Sequence, residues 1–270
     1  MNTLSIITIN YNNSDGLQRT IESIAAQTCK NFEYIVVDGG STDGSLDIIK
    51  ANESHISKWI SEPDTGIYNA MNKGAQMACG EFITFVNSGD ELSVNTIIEK
   101  VLPQLQPETD IYFGQVLDIL PDGKENLYKF NREISLMSLY RDVVNHAGTF
   151  IKRQQQLNRP YNEILKICSD RQFFIESIIL DNCSYKHLDD VIVRFDKTGI
   201  SSGNSANELM MKENEIILNN VVPPRIACDY KKSNLMLQDL TSELVQFHGV
   251  SKLIVKLDLI LLKLYKSIKH

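Results

Sequence analysis

Basic charge is scarce in this sequence: 27 Lys and Arg against 34 Asp and Glu leave a net charge of −7 over 270 residues. A chain this acidic lacks the positive footprint of a nucleic-acid binder. Cysteine is scarce too. Cys29, Cys79, Cys168, Cys183 and Cys228 stand far apart, odd in number and with no C-x-x-C pair. That pattern argues against a disulfide framework or a zinc site and fits a reducing compartment. No run of 18 apolar residues occurs, so no stretch reads as a membrane-spanning helix. The opening MNTLSIITINYNN has no basic n-region, and Thr8 and Asn10 break its apolar run, so it reads as a strand and not as a signal peptide. Internal repeats and low-complexity segments are absent as well. What is present is an ordinary globular composition, 43% hydrophobic and 23% charged, enough for one large α/β domain with an appendage. A soluble, cytoplasmic enzyme is the expectation these limits leave.

The first 90 residues alternate strand and helix signals. Leu4 to Ile9 is a short β-branched run; Asn13, Ser14 and Asp15 then offer N-caps, and Leu17, Ile21 and Ile24 recur at helical spacing. Strands are expected at Phe32 to Val37, His55 to Ile60 and Glu81 to Val86, with helices at Ser45 to Asn52 and Ile67 to Met77 between them. Helices joining successive buried strands imply a mostly parallel, doubly wound sheet with helices on both faces. Ligands of such sheets lie beyond the carboxyl ends of the strands. The second half is less regular. Pro121-Asp122-Gly123 turns between Ile111–Ile119 and a strand at about 126–130, followed by a strand at Gly148 to Lys152, a helix over Asp170 to Leu180 and a strand at His187 to Phe195. From about Ser205 the pattern is helical, interrupted at Pro223-Pro224. The expected domains are therefore 1–204, an α/β domain, and 205–270, a helical extension.

Three polar clusters follow expected strands. VVDGGSTDGS (Val36 to Ser45) sets Asp38 and Asp43 around paired glycines, which let a backbone approach a ligand. Asp38 suits a base or ribose; Asp43 suits a hydroxyl or, equally, the N-cap of the next helix. Asp64-Thr65-Gly66 precedes Asn69 and Lys73, which share one helix face; Lys73 alone reads as a solvated charge. Asn87-Ser88-Gly89-Asp90 is either a plain turn or a carboxylate placed for a hard divalent cation. Neither a G-x-G-x-x-G fingerprint nor a Walker loop is present.

ITINYNN, VVDGGSTDGS, EPDTGIYNAMNKG and GEFITFVNSGD, in that order, resemble the inverting family 2 glycosyltransferases of the GT-A fold over roughly Met1 to Ser202. The resemblance implies a UDP-sugar site with Thr8, Asn10 and Tyr11 near the base, Asp38 on the uridine, Asp43 supporting its loop, and Asp64 and Asn69 near the donor. It implies Mg²⁺ or Mn²⁺ at Asp90. Two departures stand out: Asn87 and Gly89 replace the acids customary in the metal motif, and Gly39 stands where a second Asp is frequent. ICSDRQFF (Ile167 to Phe174) matches the segment carrying the catalytic base, which puts Asp170 in that role, and His146 in HAGTFIKR would line the acceptor site. The implied activity is transfer to a glycan acceptor, lipid-linked, in bacterial O-antigen, capsule or exopolysaccharide synthesis. The Gly-rich, Arg- and Lys-containing N-terminal loop of nucleotidyltransferases is missing.

The last stretch, Ser251 to His270, carries five lysines against one aspartate, with Lys252, Lys256, Lys263 and Lys266 on one helical stripe and Leu253, Leu257, Ile260, Leu261, Leu264 and Ile268 opposite. A basic amphipathic helix of this kind suits an anionic membrane, the inner face of the cytoplasmic membrane here; packing on its own domain or in a homodimer competes. Two other functions stay open: a catalytically degenerate nucleotide-sugar-binding module, and a membrane-associated scaffold subunit.

Overall fold

A computed structural model of the chain describes residues 3–128, 133–141, 146–199, 204–233 and 235. The chain divides into two compact units, Met1–Ile217 and Leu218–His270. In the second, the described residues include a helix at 224–233, beginning at the expected proline interruption. The basic stretch 251–270 lies outside the described residues.

The larger unit opens as its pattern dictates. Strand β1 (Leu4–Asn10) leads to helix α1 (Ser14–Ala25), β2 (Glu33–Asp38) to α2 (Ser45–Ala51), and β3 (Lys58–Ser61) to α3 (Ile67–Met77) and β4 (Phe82–Phe85). Every residue of β1, β2 and β4 is buried, which is why these strands read as continuous apolar runs with no alternation. Asn13 caps α1 by accepting from Gly16 N, and Leu17, Ile21 and Ile24 form its buried stripe. The four strands pair in parallel in the order β3-β2-β1-β4. β3 starts three residues later than expected because Glu53–His55 closes into a 3₁₀ turn first.

The remaining elements are β5 (Glu91–Leu92), α4 (Ile97–Val101), β6 (Ile111–Ile119), β7 (Glu125–Tyr128), α5 (Leu136–Arg141), β8 (Thr149–Lys152), α6 (Arg153–Asn158), α7 (Ser169–Phe174), β9 (Tyr185–Asp196) and α8 (Asn204–Asn220). They extend the same sheet to β3-β2-β1-β4-β8-β6-β9-β5, with β7 hairpinned onto β6. Here directions mix: β8 runs antiparallel to β4 and β6, whereas β9 runs parallel to β6 through an irregular register near Gly114. The helix expected over 170–180 is present, its second half, Ile175–Leu180, widened into a π-helical turn. The mixed α/β sheet is the GT-A architecture the motifs imply. Because β1 to β4 are parallel, Asn10, Asp38, Ser61 and Asn87 all emerge at one edge. Among the described residues no helix is long and apolar enough to cross a membrane.

Candidate active site

Asp38 is completely buried at the end of β2, and four donors close on it. Its Oδ1 accepts from Asn10 Nδ2 at 2.7 Å and Ser41 Oγ at 2.5 Å; its Oδ2 accepts from Ser41 N at 3.0 Å and Ser61 Oγ at 2.7 Å. Burial pushes its carboxyl up, but these hydrogen bonds more than offset that, and the group sits below the ordinary carboxylate value. Asp38 therefore ties three strand ends together, and its oxygens are spent on the protein. Asn10 keeps one buried acceptor, Oδ1, with no partner.

Asp43 clamps two helix starts. Its Oδ2 accepts from Ser14 N at 2.8 Å and its Oδ1 from Ser45 N and Oγ at 3.1 and 2.6 Å. The N-cap of α2 is Gly44, so Asp43 supports the loop from one residue before the cap and does not hold the expected cap position itself. Tyr11 stands 66% exposed just beyond β1, an open ring face. Between it and Asp64 lies Gly39. A Cβ there would meet Asp64 Oδ2 at 2.4 Å and the Tyr11 ring at 3.1 Å. Glycine at 39 thus makes room for a carboxylate from the third motif, whose other oxygen caps Gly66 N at 2.9 Å.

The second cluster is a line of three side chains. Asn87 Nδ2 lies 3.0 Å from His146 Nε2, and His146 Nδ1 lies 3.1 Å from Asp170 Oδ2. With an amide N–H facing Nε2, the neutral tautomer that satisfies both contacts carries its proton on Nδ1 and donates it to Asp170. The other oxygen of Asp170 accepts from Arg171 N at 2.8 Å. The carboxylate is held from both sides yet keeps lone pairs on each oxygen, and it stands at the start of α7.

Asp90 lies one turn from Asn87 and is 4% exposed. Burial pushes its carboxyl up to about 7, against the Asp196 backbone N–H, which donates to Oδ1 at 3.0 Å, and the neighbouring His146; the Asp196 charge raises it further. A desolvated carboxylate of this kind is stabilised by a nearby cation. Asn87 Oδ1 is also buried without a partner, a second oxygen donor. Among the described residues no group of three or more His, Cys, Asp and Glu converges on one point, so a cation here would complete its shell with ligand and water oxygens, the habit of Mg²⁺. Gly89 adopts φ +106°, a left-handed conformation that an acid would occupy only under strain, and Asp196 Oδ2 lies 3.4 Å from where its Cβ would be.

Two expected site residues are engaged by the protein itself, Thr8 in the interior and Asn69 nearer the surface. Thr8 is fully buried; its hydroxyl donates to Val86 O at 2.7 Å and accepts from Tyr34 OH at 3.0 Å, tying β1 to its neighbours behind the cleft. Asn69 donates to Glu163 Oε2 at 2.9 Å, and Asn72 binds the same carboxylate at 2.9 Å, so α3 docks the segment leading to Asp170. Lys73 pairs with Glu62 at 2.7 Å. Asp196 and Glu163 were not apparent from sequence: both are single acids outside any motif, one closing a strand and one in a loop.

The family model for glycosyl transferase family 2 matches residues 5–169. An uncharacterized glycosyltransferase of Mycobacterium tuberculosis is 31% identical over 209 residues, 74% of this chain and 77% of its own. A PGL/p-HBAD biosynthesis glycosyltransferase of Mycobacterium bovis is 26% identical over 216 residues, 77% of this chain and 82% of its own. Among solved structures, Staphylococcus aureus TarS 1–349 in complex with UDP-GlcNAc aligns with TM-score 0.65 at 19% identity, over 82% of this chain and 67% of that one. Glucosyl-3-phosphoglycerate synthase of Mycobacterium tuberculosis, in complex with Mn²⁺, UDP and glucosyl-3-phosphoglycerate, aligns with TM-score 0.51 at 15% identity, over 80% and 78%. With the family model matching residues 5–169, more than half of the chain, and glycosyltransferase relatives aligned over about three quarters of it, this chain belongs to glycosyl transferase family 2 and is a glycosyltransferase.

Proposed function

We propose that the chain transfers a sugar from a UDP-sugar to a hydroxyl of a glycan acceptor with inversion at the anomeric carbon. The observation that carries this is the Asn87–His146–Asp170 line at the carboxyl edge of the sheet. The UDP and Mn²⁺ named with two fold neighbours support the donor class. On the donor side, Tyr11 stacks on the base, Asp64 and Asn10 border it, and Asp38 and Asp43 hold the loop that shapes this wall. Thr8 and Asn69 support the pocket from behind. Asp170 accepts the proton of the acceptor hydroxyl as that oxygen bonds to the anomeric carbon and the bond to UDP breaks. His146 keeps the carboxylate turned toward the acceptor. One displacement from the face opposite UDP inverts the centre.

Asp90 and Asn87 Oδ1 are the oxygens that would hold a divalent cation, Mg²⁺ or Mn²⁺. Such a cation neutralises diphosphate charge and improves UDP as a leaving group. The acceptor is lipid-linked, within bacterial surface-polysaccharide assembly; the Mycobacterium bovis relative, named for PGL/p-HBAD biosynthesis, supports a biosynthetic role. The basic stretch 251–270 would then meet the inner face of the cytoplasmic membrane.

A panel of UDP-sugars with Mn²⁺ or Mg²⁺, followed by UDP release and by the anomeric configuration of the product, tests the reading. Chelator-sensitive release from one donor, abolished in Asp170→Asn with UDP binding kept, is the expected result. Donor binding without release, even with lipid-linked acceptors added, would point instead to a degenerate binding module.

A further inference from the structure

Asp170 follows a segment, 166–168, with three backbone donors in a row. All three are taken by one side chain. Glu213 Oε1 accepts from Lys166 N at 2.6 Å, and its Oε2 accepts from Ile167 N at 3.1 Å and Cys168 N at 2.9 Å. Glu213 sits on α8, is 4% exposed, and lies outside residues 5–169 covered by the family model. The N-cap of α7, Cys168, has no side-chain cap of its own. The carboxylate of a distant helix instead anchors the chain that enters α7, through charge-assisted bonds stronger than neutral ones. The next residue of α8, Asn214, accepts from Arg171 Nη1 at 2.5 Å, on the far side of Asp170. Two neighbouring side chains of one helix thus grip the chain immediately before and immediately after the carboxylate.

We infer that Glu213 is a positioning residue for glycosyl transfer: it fixes the 166–168 backbone so that Asp170 meets His146 and the acceptor hydroxyl. The inference rests on Asp170 being the base. Small displacements of a reacting group cost rate steeply, about a hundredfold for 1 Å, whereas donor binding, built from β1 to β4, does not pass through α8. Glu213→Gln keeps the length but turns an N–H toward one or two of the three donors; Glu213→Asp keeps the charge but falls one methylene short.

Two measurements test this. Hydrogen exchange is followed on the full chain: Glu213→Gln should speed exchange at 166–171 and leave residues 4–38 unchanged. UDP release is then followed with whichever of UDP-glucose, UDP-galactose, UDP-N-acetylglucosamine and UDP-glucuronate the wild type turns over. Here kcat should fall about tenfold or more, with KM for the donor and affinity for UDP with Mn²⁺ within about twofold. Glu213→Asp should recover part of the loss, and it carries the test if the Gln variant does not fold. In the background of Asp170→Asn, Glu213→Gln should cost nothing more, since the two act at one point. Unchanged exchange at 166–171, wild-type kcat per UDP-binding molecule, or an additive loss in the double variant would overturn the inference. Wild-type transfer by Asp170→Asn alone would instead remove the base on which it rests.

Discussion

The two ends of this sheet are organised differently. Around β1 to β3 every candidate acid is held by neighbours from its own half: Asp38 by Asn10, Ser41 and Ser61, and Asp43 by Ser14 and Ser45. In the mixed half the contacts reach further along the chain, 24 to 59 residues against 2 to 29. Asn87 reaches His146 across 59 residues, His146 reaches Asp170 across 24, and the Cys168 amide reaches Glu213 across 45. The donor wall is thus a property of short motifs at strand ends. The proposed acceptor chemistry exists only once distant segments have packed, so it should be the more easily damaged by substitutions that leave the donor wall whole.

The largest expected effect sharpens that contrast. Asp170→Asn should lower turnover about a thousandfold, the scale of a lost general base, while UDP affinity measured by calorimetry stays as it was. Asp90→Ala should follow at about a hundredfold, the worth of a few kcal/mol of charge stabilisation. It should also abolish the response of turnover to added Mn²⁺, since it removes the buried carboxylate proposed to hold the cation. His146→Ala should cost about tenfold to a hundredfold in kcat with donor KM unchanged; a parallel rise in KM would move His146 to the donor side and break the comparison. Thr8→Val should act on stability alone, by about 1–2 kcal/mol, because it leaves Val86 O and Tyr34 OH unpaired in the interior. A thermal melt measures that loss, and an unchanged donor KM would confine Thr8 to the core.

A smaller effect concerns pH. Asp38 is depressed in the fold relative to its unfolded value, so its contribution to stability is complete above the unfolded value of about 4 and fades as pH falls through the depressed one. Asp38→Asn should lower stability at neutral pH and flatten the acid limb of the stability curve. An acid limb as steep as that of the wild type would show that other carboxylates dominate it.

Much of this was legible before any coordinates. The parallel strands announce themselves because burial on both faces demands unbroken β-branched runs, and their ends are marked by the Asn, Asp and Gly that turns require. Thr8 shows where such reading fails. It has the parity of Asn10 along β1, but depth along the strand decides access to the cleft, and two residues back from the edge a hydroxyl is core. Asp196 and Glu213 were invisible for another reason. Each is one acid among 34 Asp and Glu, placed by a strand register or a helix packing that no local pattern encodes. Gly39 and Gly89 looked like losses from the family motifs. In the fold both are spaces beside a carboxylate supplied from elsewhere, Asp64 and Asp196 respectively.

The line through His146 has a further consequence, in magnetic resonance. A ring whose Nε2 accepts from an amide and whose Nδ1 donates to a carboxylate has two electronically unequal nitrogens, and the Nδ1 proton, 13% exposed at the side chain, is sheltered from exchange. Such a ring announces itself by a downfield proton and widely split ¹⁵N shifts, with no sugar nucleotide, acceptor or metal in the tube. His146 is one of five histidines, so its signal can be assigned by a single substitution. It then becomes an internal reporter: acceptor candidates could be screened by the resonance they move, before any product has been made.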